Sequence, residues 1–224
     1  MTDQLIIDGK ASFDEYGASL MKRKINMPAK KSIKETVPFS NVTYDFSAIN
    51  GEVYWKERTL EYVFEIIADN PEKLEELKLK FTGWVMNIQE ARLQDPFIPD
   101  YYFKATYDDI DFDDDEGLEK TTVTVKFTAY PYMISNHPKI YEKVIPASGR
   151  DNLTILNESA HPVALTITND QAVMIEMGNN SYAISAGART DEKMRIPTGL
   201  TSMVLKNNGT ELCTVRASFY EEVF

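Results

Sequence analysis

The 224-residue sequence predicts a mainly β fold with one helix, of the α+β class. Three observations predict it. A strictly alternating run lies at 118–133, one capped amphipathic helix lies near 70–83, and short strands separated by Asn/Gly turns fill the chain from about 150. The first two thirds read as a β-sandwich-like domain carrying the helix and a long β-hairpin. The last third reads as a small β-sandwich of roughly seventy residues. With one convincing helix, no parallel doubly wound sheet is expected.

"ERTLEYVFEIIA", 57–68, places Leu60, Tyr62, Phe64 and Ile66 on one face of a strand. "DNPEKLEELKLKFTGW" follows. Asn70 is its N-cap, Pro71 its first helical residue, and Glu72 sits where the helix dipole favours an acid. Leu74, Leu77 and Phe81 make the core stripe, Gly83 ends the helix, and Trp84 is expected in the core.

"DYYFKATYDDIDF" alternates through Phe103, Ala105, Tyr107 and Ile110. "LEKTTVTVKFTAYPYM" alternates through Val123, Val125, Phe127 and Ala129. The two runs form a hairpin turning at Glu116-Gly117, because glycine tolerates positive φ. Between them, "YDDIDFDDDEG" carries seven carboxylates and no base. No frame supplies both the Gly at position 6 and the Glu at position 12 of a calcium loop. The acidic run is therefore expected as the hydrated tip of the hairpin, without a metal.

From 152 on, "NLTILNESAHPVALTITND", "AVMIEMGNNSYAISAG" and "SMVLKNNGTELCTVRASF" are short strands. Gly178-Asn179-Asn180-Ser181 and Asn207-Asn208-Gly209 are their turns, since Asn and Gly accept the left-handed conformation. Pro, Ser and Gly interrupt the pattern in "KVIPASGRDN". This predicts a first domain at 1–146 and a second at 147–224.

Chemistry is mostly missing from the sequence. The two histidines, His137 and His161, each precede a proline and so sit in extended or turn segments. No nucleophile elbow, phosphate loop, dinucleotide glycine pattern or zinc-ligand spacing occurs. The single cysteine, Cys213, excludes an internal disulfide and reads as a buried thiol. A non-enzymatic protein without a cofactor is expected. A net charge of −11 opposes general nucleic-acid binding. No apolar run is long enough to span a bilayer, and "MTDQLIIDGK" lacks signal-peptide features, so folding in the cytoplasm is expected. The Asn-x-Ser/Thr sites are then without meaning.

The charge is unevenly spread. "MKRKINMPAKKSIK", 21–34, has six bases, among them Lys22, Arg23, Lys24, Lys30 and Lys31, and no acid. It is the opposite of the acidic run with Asp111, Asp113 and Asp114. The two are either solvated surfaces or parts of one contact, within a subunit or between two. Val53, Tyr54 and Trp55 are candidates for the apolar centre of such an interface.

The order of these features resembles the phage distal tail protein family of long-tailed siphophages and related prophages. "LIIDGKASFDEYG" supplies a short strand, an Asp8-Gly9 turn and a Tyr16-Gly17 pair. The basic arm "KRKINMPAKKSIKETVPF" follows. "YDFSAINGEVYWKERTLEYVFEI" is similar to the family's Asp-x-Ser stretch, Gly, aromatic and Arg ahead of the first long strand. "TAYPYMIS" resembles the exit from the first domain. One departure is "VPFSNVTYDF", where the family has a Gly-rich turn.

The resemblance implies a galectin-like or carbohydrate-module-like second domain. It implies a structural virion protein forming a hexameric ring, with first domains as a belt around a channel. Such a ring joins the tail tube to the tail tip or baseplate, at the end of the virion tail, after assembly in the host cytoplasm. The implied partners are the tail tube protein, the tape-measure protein and the tip or adhesion proteins. The alternative is a carbohydrate-binding module fused to an α+β domain.

Overall fold

Alternation decides the first part of the fold. Every second residue of 58–67 and 120–129 is inward-facing, and the two runs pair along their whole length. The structure is a computed structural model; it describes residues 3–36, 39, 41–48, 52–115, 117 and 119–224. Two compact units are present, Met1–Met133 with Phe224, and Ile134–Val223.

In chain order the first unit contains β1 (Ile6–Ile7), β2 (Lys10–Ala11), α1 (Ser12–Tyr16), β3 (Ala18–Ile25), β4 (Lys34–Thr36), β5 (Thr43–Asp45), β6 (Arg58–Ile67), α2 (Pro71–Val85), β7 (Ala91–Gln94), β8 (Tyr101–Asp114) and β9 (Lys120–Ala129). Seven strands of this unit follow one another in the order β2-β1-β7-β8-β9-β6-β3 within a nine-stranded sheet, while β4 and β5 form a separate ribbon. Asp8 and Gly9 both take positive φ, as the two-residue turn between β1 and β2 requires.

The core of this unit lies between the sheet and α2. Leu60, Tyr62, Phe64 and Ile66 join Phe103, Val123, Val125 and Phe127 in it, with Leu74, Phe81 and Val85 from the helix. Phe81 meets Phe64 edge to face at 5.4 Å. Asn70 caps α2 by accepting from Lys73 N at 2.8 Å. The helix does not stop at Gly83. It continues to Val85, because Val85 and Trp84 still find apolar partners; Trp84 stacks on Tyr16 at 4.5 Å. The five-residue α1 was not expected, since one turn is too short to show a helical period. Gly17, at φ 68°, ends it by donating its N–H to Phe13 O.

β8 runs on to Asp114, so most of the acidic run is strand rather than tip. A bulge between Tyr107 and Asp109 changes the phase of alternation and brings Ile110 and Phe112 to the inner face. The expected turn falls partly outside the described residues, which omit Glu116 and Leu118; Val37, Pro38 and Ser40 of "VPFSNVTYDF" are omitted too.

The second unit is a β-sandwich. β10 (Met133–Ser135) lies at the division. Then come β11 (Lys139–Ile145), β12 (Arg150–Asn157), β13 (Val163–Asn169), β14 (Val173–Met177), β15 (Asn180–Ile184), β16 (Gly187–Ile196), β17 (Gly199–Asn207), β18 (Cys213–Phe219) and β19 (Glu222–Val223). The two sheets have the orders β11-β18-β13-β16 and β12-β17-β14-β15. Ile145, Leu165 and Val215 from the first meet Ile155, Ile175 and Leu205 from the second in one core. Cys213 is fully buried there.

Three buried asparagines close strand ends of this sandwich. Asn157 Nδ2 donates to Ile196 O at 3.0 Å. Asn169 Nδ2 donates to Gln171 O and, at 3.2 Å, to Ser185 O. Asn207 Nδ2 donates to Glu211 O at 2.7 Å and Pro146 O at 3.1 Å.

The division falls at 133/134 rather than 146/147. β11 pairs with β18 over seven residues, which binds 139–145 to the second unit. The Pro-Ser-Gly stretch is a tight turn within that unit: Gly149 N donates to Pro146 O and Ser148 N to Gly209 O.

Candidate functional site

The solvent face of β3, β6, β9 and β8 carries ordered rows of charge. Lys24 pairs in register with Glu61, Glu61 with Lys126, and Lys126 with Asp109. The row reads positive, negative, positive, negative across the sheet. Lys126 Nζ lies 3.1 Å from Asp109 Oδ2, and this contact, with smaller help from Glu61 and Asp108, raises the lysine's pKa. One row up stand Lys22, Val63, Thr124 and Asp111. The next holds Ser19, Glu65, Thr122 and Asp113, with Lys120 bonded to Glu65 at 2.6 Å. The face is basic at its β3 border and acidic at its β8 border.

Both borders are open over part of their length. At the start of β3, Ser12 Oγ donates to Ala18 O and Leu20 N donates to Asp3 O. From Lys22 to Ile25 the registers give β3 a partner on the β6 side alone, among the described residues. β3 is the last strand of the sheet. β7 pairs with β8 only at Phe103–Ala105, and Tyr107 N still donates to Ile88 O at 3.0 Å. From Asp109 to Asp114 the registers give β8 a partner on the β9 side alone, among the described residues.

The predicted interface residues separate into groups. Lys22, Lys24, Asp111 and Asp113 are exposed on these borders. Asp114 is held by α2: Lys78 Nζ lies 2.8 Å away and lowers the Asp114 pKa. Arg23 points inward. The bulge at Met21 inverts the alternation of β3, so Arg23 rather than Lys22 faces the core. It lies over the Phe97 ring at 4.6 Å.

Lys30 and Lys31 are paired with the aromatic run. Lys30 forms a bridge with Trp55, and Lys31 N donates to Tyr54 O at 2.8 Å. Trp55 packs edge to face on Phe224 at 4.8 Å, while Val53 and Tyr54 stay about half exposed, at 41% and 47%.

Among the described residues no ion pair joins the arm at 21–34 to the acidic run of the same subunit. Lys30 and Lys31 stand near the Arg58 end of the sheet, and Asp113 and Asp114 stand at the other, roughly 26 Å along the strands. Sequence reading missed Glu61, Lys126 and Asp109 as members of the charged face. Alternation put the first two outward, but only the register makes them neighbours.

Elsewhere the chemistry is sparse. His161 Nε2 lies 2.7 Å from Glu222 Oε2, yet its Nδ1 faces Arg195 at 3.5 Å, where a catalytic triad needs a nucleophile. A depression of about 380 Å³ is lined by residues such as Gln171, Met174, Ile184 and Asn208, with no charged side chain. Among the described residues no cluster of His, Cys, Asp and Glu could hold a metal ion, and no helix is long and apolar enough to cross a membrane.

No protein-family model and no curated protein matches the sequence. Solved structures do match. The Dit protein of SPP1, presented as a paradigm of the hub adsorption apparatus in phages infecting Gram-positive bacteria, aligns with a TM-score of 0.70 at 12% identity. That alignment covers 98% of this chain and 99% of the other. The baseplate of phage P2, in its activated conformation with Ca, aligns over 97% and 98% of the two chains at 9% identity, with a TM-score of 0.41. Over nearly its whole length, this chain has the fold of the SPP1 Dit hub protein.

Proposed function

We propose that this chain is a structural subunit of a phage tail end, a distal tail protein. It forms a closed ring that joins the tail tube to the tail tip or baseplate and its adhesion proteins. The observation that carries this reading is the whole-length likeness to SPP1 Dit, which spans both units. The number six comes from the family resemblance.

The physics of the first unit suits a ring. Open strand edges must be paired, covered or charged. A head-to-tail ring pairs each edge with a different surface of the next copy, and closure leaves none open. The ring would assemble in the host cytoplasm, meet the tail tube and tape-measure proteins on the tail side, and end in the virion tail tip.

Light scattering on purified protein tests this. The expected mass is about six times the 25.5 kDa of one chain, and negative-stain images should show rings with a central channel. A monomer at tens of micromolar, with no rings in images, would overturn the reading.

A further inference from the structure

The two open edges of the first sheet match each other. This deepens the ring reading and rests on it. Beyond Leu20, whose N–H is taken by Asp3 O, Lys22 of β3 shares a row with Val63, Thr124 and Asp111, and Ile25 shares a row with Leu60, Phe127 and Tyr107. The open length of β3 and the open part of β8 therefore lie at the same level of the sheet. Each strand carries one bulge, at Leu20/Lys22 and at Tyr107/Asp109.

Strand direction also fits. β8, β9, β6 and β3 pair antiparallel at each of their junctions. With an even number of strands, β3 and β8 run in opposite directions. A second copy set beside the first in the same orientation again presents an antiparallel pair. An odd number would have forced a parallel one.

The charges continue in phase. Asp109, Lys126, Glu61 and Lys24 alternate in sign, and the next residue in that row would be another Asp109. Lys22 would meet Asp111 in the same way. On the inner face, Ile110 and Phe112 of β8 and Ile25 of β3 are only partly buried, so a neighbouring strand would cover more of each.

We propose that Lys22–Ile25 of β3 in one copy adds as a strand to the Asp109–Asp111 edge of β8 in the next copy. The pairing is antiparallel, with Lys24 opposite Asp109 and Lys22 opposite Asp111, and it repeats around the ring. The occupant of each edge is a second copy of this chain.

Two measurements on the full-length chain test it. Opposed residues of an antiparallel pair have Cα atoms about 4.5–5.5 Å apart, within disulfide range. Lys24→Cys combined with Asp109→Cys should give, with oxidised glutathione, a ladder of covalent oligomers up to the ring. Cys213 is buried and should stay silent.

The second measurement reverses charge. Lys22→Glu, or Asp111→Lys, puts like charges across the junction. Either variant alone should assemble only at a roughly tenfold or higher concentration. An equimolar mixture should recover assembly, because in an alternating ring the two altered edges meet each other with opposite charge and the two unaltered edges meet as in the wild type. Recovery also shows that both variants fold. A sixfold mass without the ladder, or variants that assemble alone as the wild type does, overturns the junction and leaves the ring standing. A monomeric wild type overturns both.

Discussion

Arg23 Nη1 lies 2.8 Å from Asp95 Oδ1, a carboxylate with no exposure to solvent. The pair is close but poorly aligned: Arg23 Nη1 forms no hydrogen bond, so the attraction is coulombic. Asp95 also accepts from Tyr62 Oη at 3.1 Å and from Phe97 N at 2.9 Å. These contacts tie the edge strand β3 and the core of β6 to the turn after β7. A residue that sequence alone puts in a solvated basic arm thus works as an anchor.

Removing the guanidinium leaves a buried carboxylate with two hydrogen-bond donors and no countercharge. Arg23→Ala should cost about 2–3 kcal/mol, somewhat less than for a fully buried pair because Arg23 is itself one-third exposed. Tyr62→Phe should cost about 1–2 kcal/mol. Urea denaturation measures both. Equal midpoints for wild type and Arg23→Ala would show that the anchor carries no stability.

The same cluster predicts a response to alkali. Burial first, then the charge and hydrogen bond of Asp95, raise the Tyr62 phenol well above its ordinary pKa. The folded state holds this proton more tightly than the unfolded state. The associated stability is complete below about pH 10, the unfolded value, and is lost as pH rises through the higher folded value. Its slope approaches about 1.4 kcal/mol per pH unit. Comparing wild type with Tyr62→Phe between pH 9 and 11 isolates it. Parallel stability curves for the two proteins would contradict the assignment.

In the sandwich, Asn207 should be a sensitive position. Its amide donates to Glu211 O and Pro146 O, and its Oδ1 accepts from Gly209 N at 2.8 Å. Asn207→Ala leaves these groups without partners and should cost about 2–3 kcal/mol. Asn207→Asp should cost at least as much, since a carboxylate cannot donate to the two carbonyls. Thermal unfolding of the two variants checks this. An Asp variant as stable as wild type would show that the carbonyls do not need the amide.

The division at 133/134 predicts how fragments behave. Residues 134–224 retain β11 and its ladder with β18, whereas 147–224 lose that edge strand and uncover Ile145's neighbours in the core. The longer fragment should unfold cooperatively and give dispersed amide resonances. The shorter should bind a hydrophobic dye and lack a sharp transition. Two equally well-folded fragments would restore a boundary near 147.

Short-range rules carried much of the fold. Alternation marked β6 and β9 and their inward residues, Asn70 and Pro71 marked the start of α2, and Asn/Gly turns marked the sandwich. These signals act within a few residues, where propensity and burial period operate. What they leave open is which strand neighbours which. Lys24, Glu61, Lys126 and Asp109 are far apart in the chain and become one row only when four strands take their register. The single bulge at Met21 turned Arg23 inward and Lys22 outward, reversing what unbroken alternation would give. The seven pairs between β11 and β18 moved the boundary in the same way. The sequence by itself determined β6, β9 and α2 and the faces they bury; the tertiary structure decided the bulged strands, the charged face and its borders, because register and edge position depend on contacts between residues distant in the chain.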